Sequence, residues 1–154
     1  MYKMILLFVL VALVACTSDK SSEEAAMANQ ETALYASWRT GQSYYKVNPF
    51  GVFLVKRTDT LQEEYIRANR MLTAFKIAWQ NDSMYTLRFH KLAENPQGQS
   101  LPDGIDSLVK VCTMTNVSDT MYEEKAWSNM SYSYIYTTYR RPKQTSTDNA
   151  ILQK

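Results

Sequence analysis

The stretch that decides the fold is Met71–Phe89, MLTAFKIAWQNDSMYTLRF. In its first half Phe75 and Ile77 flank a lysine, and in its second half Leu87 and Phe89 flank an arginine. Apolar and polar residues that alternate in this way are typical of β-strands with one buried face. The Asn-Asp-Ser sequence between the two halves has the chemistry of a turn. The stretch therefore predicts an antiparallel hairpin with one apolar face.

Segments of the same character precede and follow this hairpin. Eight stretches rich in β-branched and aromatic residues, separated by turn residues, predict eight strands. They lie near Ala36–Val47, Gly51–Arg57, Thr60–Arg67, Met71–Gln80, Met84–Leu92, Ser107–Met114, Thr120–Trp127 and Ser131–Arg140. Successive strands with one apolar face bury that face most economically by curling round, which also removes exposed sheet edges. We expect an all-β fold, an eight-stranded antiparallel meander that closes into a barrel or a strongly curved sheet.

The first sixteen residues predict where the protein resides. A lysine is followed by twelve apolar residues, Met4–Ala15, which as a helix would span about 18 Å. The hydrocarbon core of a bilayer is about 30 Å thick, so this run is typical of a signal peptide. Leu13–Cys16 resembles the lipobox of bacterial lipoproteins, which implies cleavage before Cys16, diacylation of its thiol and acylation of the new amine. The alternative is an ordinary secretory peptide with an incidental cysteine.

The domain organisation follows from these two predictions. We expect a signal peptide over residues 1–15, a lipidated cysteine and flexible tether over 16–34, a β domain over 35–141 and a disordered tail over 142–154. Residues 23–34 contain Ala, Glu, Gln and Met and could form a short helix. Acidic residues soon after the cysteine resemble tags that direct some lipoproteins to the bacterial surface. We expect an anchor in the outer membrane, on the periplasmic face or at the cell surface.

Composition excludes several classes of function. Without Lys3 the mature chain has 16 basic and 15 acidic residues, a balance that does not indicate nucleic-acid binding. His90 is the only histidine, and no metal, phosphate-loop or nucleophile motif is present, so we expect no cofactor and no enzyme. Cys112 has no second thiol to pair with once Cys16 is lipidated, and we expect it to be a buried apolar residue.

Several short motifs resemble a family of small bacterial lipocalin-like lipoproteins. They are Trp38–Gly41, Tyr44–Tyr45, Val55–Thr60 and Trp79–Leu87, and the resemblance covers Trp38–Tyr139. It implies a lipocalin-like barrel behind a lipoprotein signal, with Trp38 closing one end. The third of these motifs is followed by Gln-Glu-Glu, as in the family.

Five aromatic residues are candidates for binding a ligand. Tyr132, Tyr134 and Tyr136 alternate on the last predicted strand and could line a pocket or stack on a sugar, together with Trp79 and Phe75. The alternative is that the tyrosines form barrel wall or core.

Acidic pairs offer a second kind of site. Glu63–Glu64 and Glu123–Glu124 are adjacent in sequence, so the two members of each pair point to opposite faces and form no dyad. An inward Glu63 would need a partner such as Arg39 or Arg57 and could serve as a polar contact inside a binding cup. The alternative is an outward strand charge held by a salt bridge.

One repeated pattern suggests a modification. An Asp, a hydroxyl residue and a large apolar residue occur in this order four times, with the hydroxyl at Thr60, Ser83, Ser107 and Thr120. The pattern resembles an acceptor motif for bacterial O-glycosylation. A turn that ends in Asp-Ser or Asp-Thr before an apolar strand would produce the same pattern.

Two functions fit these features. The first is a non-enzymatic, membrane-anchored barrel that binds a small apolar or amphipathic ligand or an envelope partner. The second is a structural or accessory subunit of an envelope assembly. A cup large enough for a ligand favours the first, and a filled barrel with a broad exposed aromatic patch favours the second.

Overall fold

The structure, a computed structural model, describes residues 19–143. Helix α1 (Asp19–Ser37) is rich in Ala, Glu, Gln and Met, which favour a helix. The chain divides into two compact units, with the boundary between Ala33 and Leu34. The helix includes Ala36, where the sequence predicted strand, so the first strand begins later than expected. Across residues 19–143, no helix combines the length and apolar character that crossing a bilayer requires.

Eight strands and a short 3-10 helix at Ile105–Ser107 make up the rest of the described chain. Each strand is antiparallel to its neighbours, and together they form one closed barrel in chain order, which confirms the predicted meander. The strands are β1 (Gly41–Val47), β2 (Gly51–Arg57), β3 (Leu61–Ile66), β4 (Met71–Trp79), β5 (Met84–Glu94), β6 (Val109–Thr115), β7 (Met121–Ser128) and β8 (Ile135–Arg140).

The hairpin of β4 and β5 buries the face that its sequence predicts. Phe75, Ile77, Tyr85 and Leu87 are buried, and the ladder pairs Ile77 with Leu87. Phe89 is half-buried and packs against this core. Large apolar side chains at alternate positions therefore fix which face of the sheet turns inward.

The barrel closes unevenly. Every neighbouring pair of strands from β1 to β8 in the chain is joined over at least five residues. The closing pair, β1 with β8, is joined only where Tyr44 faces Arg140. Beyond this point the two strands separate, and a cleft opens in the wall. We call it the β1–β8 cleft.

Trp38 closes the end at which the chain enters the barrel, here called the Trp38 end. Its indole is buried, packs edge-on against Tyr122 at 4.9 Å and donates a hydrogen bond from Nε1 to the carbonyl oxygen of Ser118 at 2.8 Å. In an up-and-down meander the turns β2–β3, β4–β5 and β6–β7 lie at this end, and the other turns lie at the opposite end. The role expected for Trp38 from the sequence resemblance agrees with this position.

The last strand differs from its prediction. It begins at Ile135 rather than Ser131, and its buried residue is Tyr139. Alternation from Tyr139 turns odd-numbered residues inward, so Tyr136 points outward and is exposed. Tyr132 and Tyr134 precede the strand and are exposed as well. The three tyrosines are therefore neither core nor inner barrel wall.

Candidate functional site

The interior of the barrel contains a buried polar cluster that the sequence did not predict. Strand alternation turns polar side chains inward on seven strands, beside apolar ones on the same faces. We use the name polar cluster for Tyr45, Arg57, Gln62, Glu64, Tyr85, Lys110, Tyr122, Glu124 and Tyr139.

Arg57 lies at the centre of the polar cluster, and only 5% of its surface is exposed. Its Nε donates to Oε1 of Gln62, and its Nη2 donates to the hydroxyl of Tyr85. The guanidinium also lies over the ring of Tyr85, 4.5 Å from the centroid, and 3.8 Å from the carboxylate of Glu124. These contacts use two of the five N–H donors and offset the charge of a side chain that is costly to bury alone.

The two inward carboxylates are held by different partners. Glu124 is fully buried, accepts a hydrogen bond from Tyr85 and lies 3.7 Å from the ammonium of Lys110. Glu64 accepts hydrogen bonds from the Tyr45 hydroxyl at 3.0 Å and from Nε2 of Gln62. Two cations and two carboxylates thus share the interior, and their charges balance.

In each acidic pair the two adjacent glutamates point to opposite faces of their strand, as strand alternation requires. Each pair sends one carboxylate inward, and on β3 the inward residue is Glu64, whereas Glu63 is half-buried on the outer face. Glu63 therefore points outward, which is the alternative that the sequence left open, and it needs no inward partner. Arg57 is the guanidinium that pairs with an inward carboxylate, that of Glu124, whereas Arg39 forms an ion pair with Asp82 at 2.8 Å.

Burial and neighbouring charges shift the pKa values inside the cluster. Burial first, and then the charge of Glu64 or Glu124, raises the pKa of the Tyr45 and Tyr139 hydroxyls well above the usual 10.0. Burial also raises the pKa of the Tyr85 hydroxyl well above this value, because it and the charge of Glu124 outweigh the opposing charge of Arg57. Burial disfavours the charged ammonium of Lys110, but the nearby Glu124 outweighs it and raises the pKa of Lys110 above its usual 10.5. At physiological pH the tyrosines are neutral donors and Lys110 is charged.

Cys112 lies beside the cluster and is fully buried. Burial, and then the charge of Glu124, raises the pKa of its thiol above the usual 9.0. The thiol is therefore protonated, and a protonated buried thiol is a poor nucleophile. Within residues 19–143 no group of three or more His, Cys, Asp or Glu side chains converges as metal ligands would. The polar cluster is best described as a scaffold that fixes the barrel.

The five aromatic residues predicted to bind a ligand do not share one pocket. Phe75 belongs to the buried core. Trp79 is half-buried and packs against Tyr85, with 4.7 Å between the two ring centroids. The guanidinium of Arg39 lies 4.9 Å from the centroid of the Trp79 ring. The other three residues, Tyr132, Tyr134 and Tyr136, lie outside the barrel. Ligand binding by these residues stays a prediction.

Exposed apolar side chains concentrate where β7 passes into β8. Of the eight large hydrophobic residues that are exposed among those described, six lie between positions 127 and 136. We call them the β7–β8 aromatic surface: Trp127, Met130, Tyr132, Tyr134, Ile135 and Tyr136. The ammonium of Lys125 lies 4.1 Å from the centroid of the Tyr134 ring and holds part of this surface in place.

The β1–β8 cleft has a volume of about 330 Å³. Its walls combine aromatic and cationic side chains, among them Tyr45, Tyr136, Lys46 and Arg140. The cleft therefore suits an amphipathic molecule with a negative group more than a purely apolar one. Inside the barrel, Arg57, Glu124 and four buried tyrosines occupy the centre.

The four predicted glycosylation hydroxyls all lie in connections between strands. Thr60, Ser83 and Thr120 belong to the three turns at the Trp38 end, and Ser107 lies in the β5–β6 connection at the opposite end. Thr60, Ser107 and Thr120 are exposed, and Ser83 is half-buried. Modification of these residues stays a prediction, and Cys16 lies outside the described residues.

Comparisons with known proteins give no relative. No protein-family model, no curated protein and no solved structure matches this chain significantly. The resemblance to lipocalin-like lipoproteins therefore stays a prediction, because a closed eight-stranded barrel alone does not establish that family.

Proposed function

We propose that the chain is a non-enzymatic, membrane-anchored barrel that binds a protein partner in the bacterial cell envelope through the β7–β8 aromatic surface. The observation that carries the proposal is that surface, which gathers six exposed large apolar residues within ten positions. A concentration of exposed apolar residues in one part of the chain is typical of interaction sites, and Tyr and Trp are enriched among residues that dominate binding energy.

The large side chains in the centre of the barrel support a partner-binding function over a carrier function. An eight-stranded barrel either holds one small ligand or fills with side chains. Here Arg57, Glu124 and four buried tyrosines occupy the space. A barrel locked by this polar cluster presents its outer surface in one fixed geometry, which lowers the entropic cost of binding.

Substitution of two tyrosines tests the binding surface. Tyr132→Ser with Tyr134→Ser should weaken partner binding by about 30-fold to 1,000-fold, because each aromatic hot spot contributes about 2 kcal/mol and the two losses need not add fully. The matched control is Tyr65→Ser, a half-buried outward tyrosine on β3, four strands away round the barrel. A photo-crosslinking residue placed in living cells at position 134, and separately at 65, identifies the partner.

A discrete protein adduct formed from position 134 and absent from position 65 supports the proposal. Equal adducts from both positions, or unchanged affinity in the double variant, would contradict it.

A second candidate function is the binding of a small amphipathic ligand in the β1–β8 cleft. The observation that favours it is the cleft volume of about 330 Å³, which reaches the lower end of the roughly 300–1,000 Å³ typical of ligand pockets. A native mass spectrum of protein purified from its own membrane separates the two functions. A non-covalent adduct of a few hundred daltons that Tyr136→Ala removes would favour the ligand.

The membrane anchor is a further part of the proposal and rests on the lipobox resemblance at Cys16. Denatured protein extracted from its native membrane should have the mass of a chain that begins at Cys16 plus acyl chains. Cys16→Ala should remove the acyl mass and release the protein from the membrane, because two or more acyl chains are needed for stable anchoring. Additional sugar mass, lost when Thr60 and Thr120 are replaced by valine, would support O-glycosylation. A native mass equal to that of the bare chain would exclude both modifications.

A further inference from the structure

A small cavity at the Trp38 end is separate from both surfaces described above. Its volume is about 70 Å³, and its walls include Trp38, Gln42, Ser43, Arg57 and Arg141. A cavity needs roughly 10–15 Å³ to hold one water, so this one has room for a polyatomic ion and not for a sugar or a nucleotide. No carboxylate of the described chain lines it.

One wall of the cavity carries a buried guanidinium with an incompletely used nitrogen. Nη1 of Arg57 contacts the carbonyl oxygen of Trp38 at 3.5 Å, which is at the limit of a hydrogen bond. This nitrogen has two N–H groups, so at least one of them has no acceptor within residues 19–143. The remaining donors of Arg57 that form bonds are directed to Gln62 and Tyr85, deeper in the barrel.

A second guanidinium closes the cavity from outside. Nη2 of Arg141 donates to the carbonyl oxygen and the hydroxyl of Ser37, at 2.9 and 2.8 Å, and the guanidinium lies 4.4 Å from the ring centroid of Trp38. These contacts orient the side chain but leave its charge uncompensated, because none of the ion pairs of the described chain includes Arg141. The charges of the polar cluster already balance, so Arg141 makes this end of the barrel positive.

We propose that this cavity binds a small oxyanion, with a phosphate or carboxylate group held between the guanidinium groups of Arg57 and Arg141. Guanidinium groups bind such anions with charge-assisted hydrogen bonds, and their planar fork suits two oxygens at once. The hydroxyl of Ser43, a buried residue on the inner face of β1, supplies an uncharged donor beside them. The anion occupies the end of the barrel opposite the β7–β8 turn, so this site is independent of the proposed partner surface.

Phosphate at this site has two sources, a free anion or the headgroup of a phospholipid. Titration of the full chain with inorganic phosphate, and separately with glycerol phosphate as a soluble headgroup, distinguishes them. Binding is read from the amide signals of Gly41 and Gln42 at constant ionic strength, because sulfate and phosphate stabilise many proteins without a site. Tighter binding of glycerol phosphate indicates the headgroup, and equal or weaker binding indicates the free anion.

Arg141→Gln should weaken the binding of both probes about tenfold or more, because it removes a charge-assisted bidentate contact. Arg140→Gln is the matched control: it removes the same charge from the neighbouring residue, which lines the β1–β8 cleft and not this cavity. Ser43→Ala is a second variant, expected to weaken binding a few-fold without altering any charge.

Saturable binding that falls in Arg141→Gln and in Ser43→Ala but not in Arg140→Gln establishes the site. The absence of saturable binding of either probe to the unmodified chain, or an equal loss in Arg140→Gln, overturns the proposal.

Discussion

Arg57→Met should lower the free energy of unfolding by about 3–5 kcal/mol, one of the two largest effects we expect from one substitution in this barrel. The change removes the hydrogen bonds to Gln62 and Tyr85 and the charge that faces Glu124 across the interior. Glu124 is fully buried, so its carboxylate then keeps only Lys110 as a cationic partner. The free-energy cost of leaving a buried charge without its partner is far larger than the net stabilisation that the intact pair provides.

The matched control for this substitution is Lys56→Met, which removes the same charge from the adjacent, exposed residue of β2. Because Lys56 points outward, its replacement should alter stability by no more than about 0.5 kcal/mol. Denaturant unfolding of both variants provides the comparison. Similar losses in the two variants would show that the polar cluster does not hold the barrel together.

A double-mutant cycle separates the pair from the rest of the cluster. Arg57→Met combined with Glu124→Leu replaces the buried ion pair by apolar side chains, and its cost should be smaller than the sum of the two single losses by about 0.5–3 kcal/mol. Apolar replacement of a whole buried pair is often tolerated, whereas removal of one partner is not. If the stability losses of the two single variants add up to the loss of the double variant, Arg57 and Glu124 are not energetically coupled, although they lie 3.8 Å apart.

The sequence predicts the strands well because they alternate strongly. The face that β4 and β5 bury is signalled by Phe75, Ile77 and Leu87, whose exposure would be costly. The sequence Ser-Tyr-Ser-Tyr-Ile-Tyr, which leads into β8 and includes its first two residues, alternates too. Both of its faces, however, carry apolar residues. Periodicity alone cannot show which face is buried there, and Tyr139, further along the strand, decides it.

The polar cluster could not be predicted because its stabilising contacts are not local. Alternation does place Arg57 on the same face as Val55, and Glu124 on the same face as Tyr122. A charge on an inward face is acceptable only when a partner meets it. That partner lies on a strand five positions further along the meander, and only barrel closure brings the two together.

Trp38→Ala should lower the free energy of unfolding by about 3–5 kcal/mol, which is the usual cost of truncating a buried tryptophan. The indole is 4% exposed, and its removal opens the Trp38 end and uncovers Tyr122. It also leaves the carbonyl oxygen of Ser118 without its indole donor. Trp38→Phe keeps an aromatic ring but not this donor, so we expect an intermediate loss.

Trp127→Ala is the matched control for the closing tryptophan, because Trp127 lies on the outer face of β7 with 45% of its surface exposed. Its replacement should leave stability within about 0.5 kcal/mol of the unmodified chain. If the β7–β8 aromatic surface binds a partner, the same substitution should weaken that binding severalfold or more. We thus expect Trp38→Ala to lower stability and Trp127→Ala to weaken partner binding. Thermal or denaturant unfolding and the partner-binding assay measure these two effects. Equal losses of stability would place the closure of the Trp38 end in doubt, because the buried indole would then contribute no more than the exposed one.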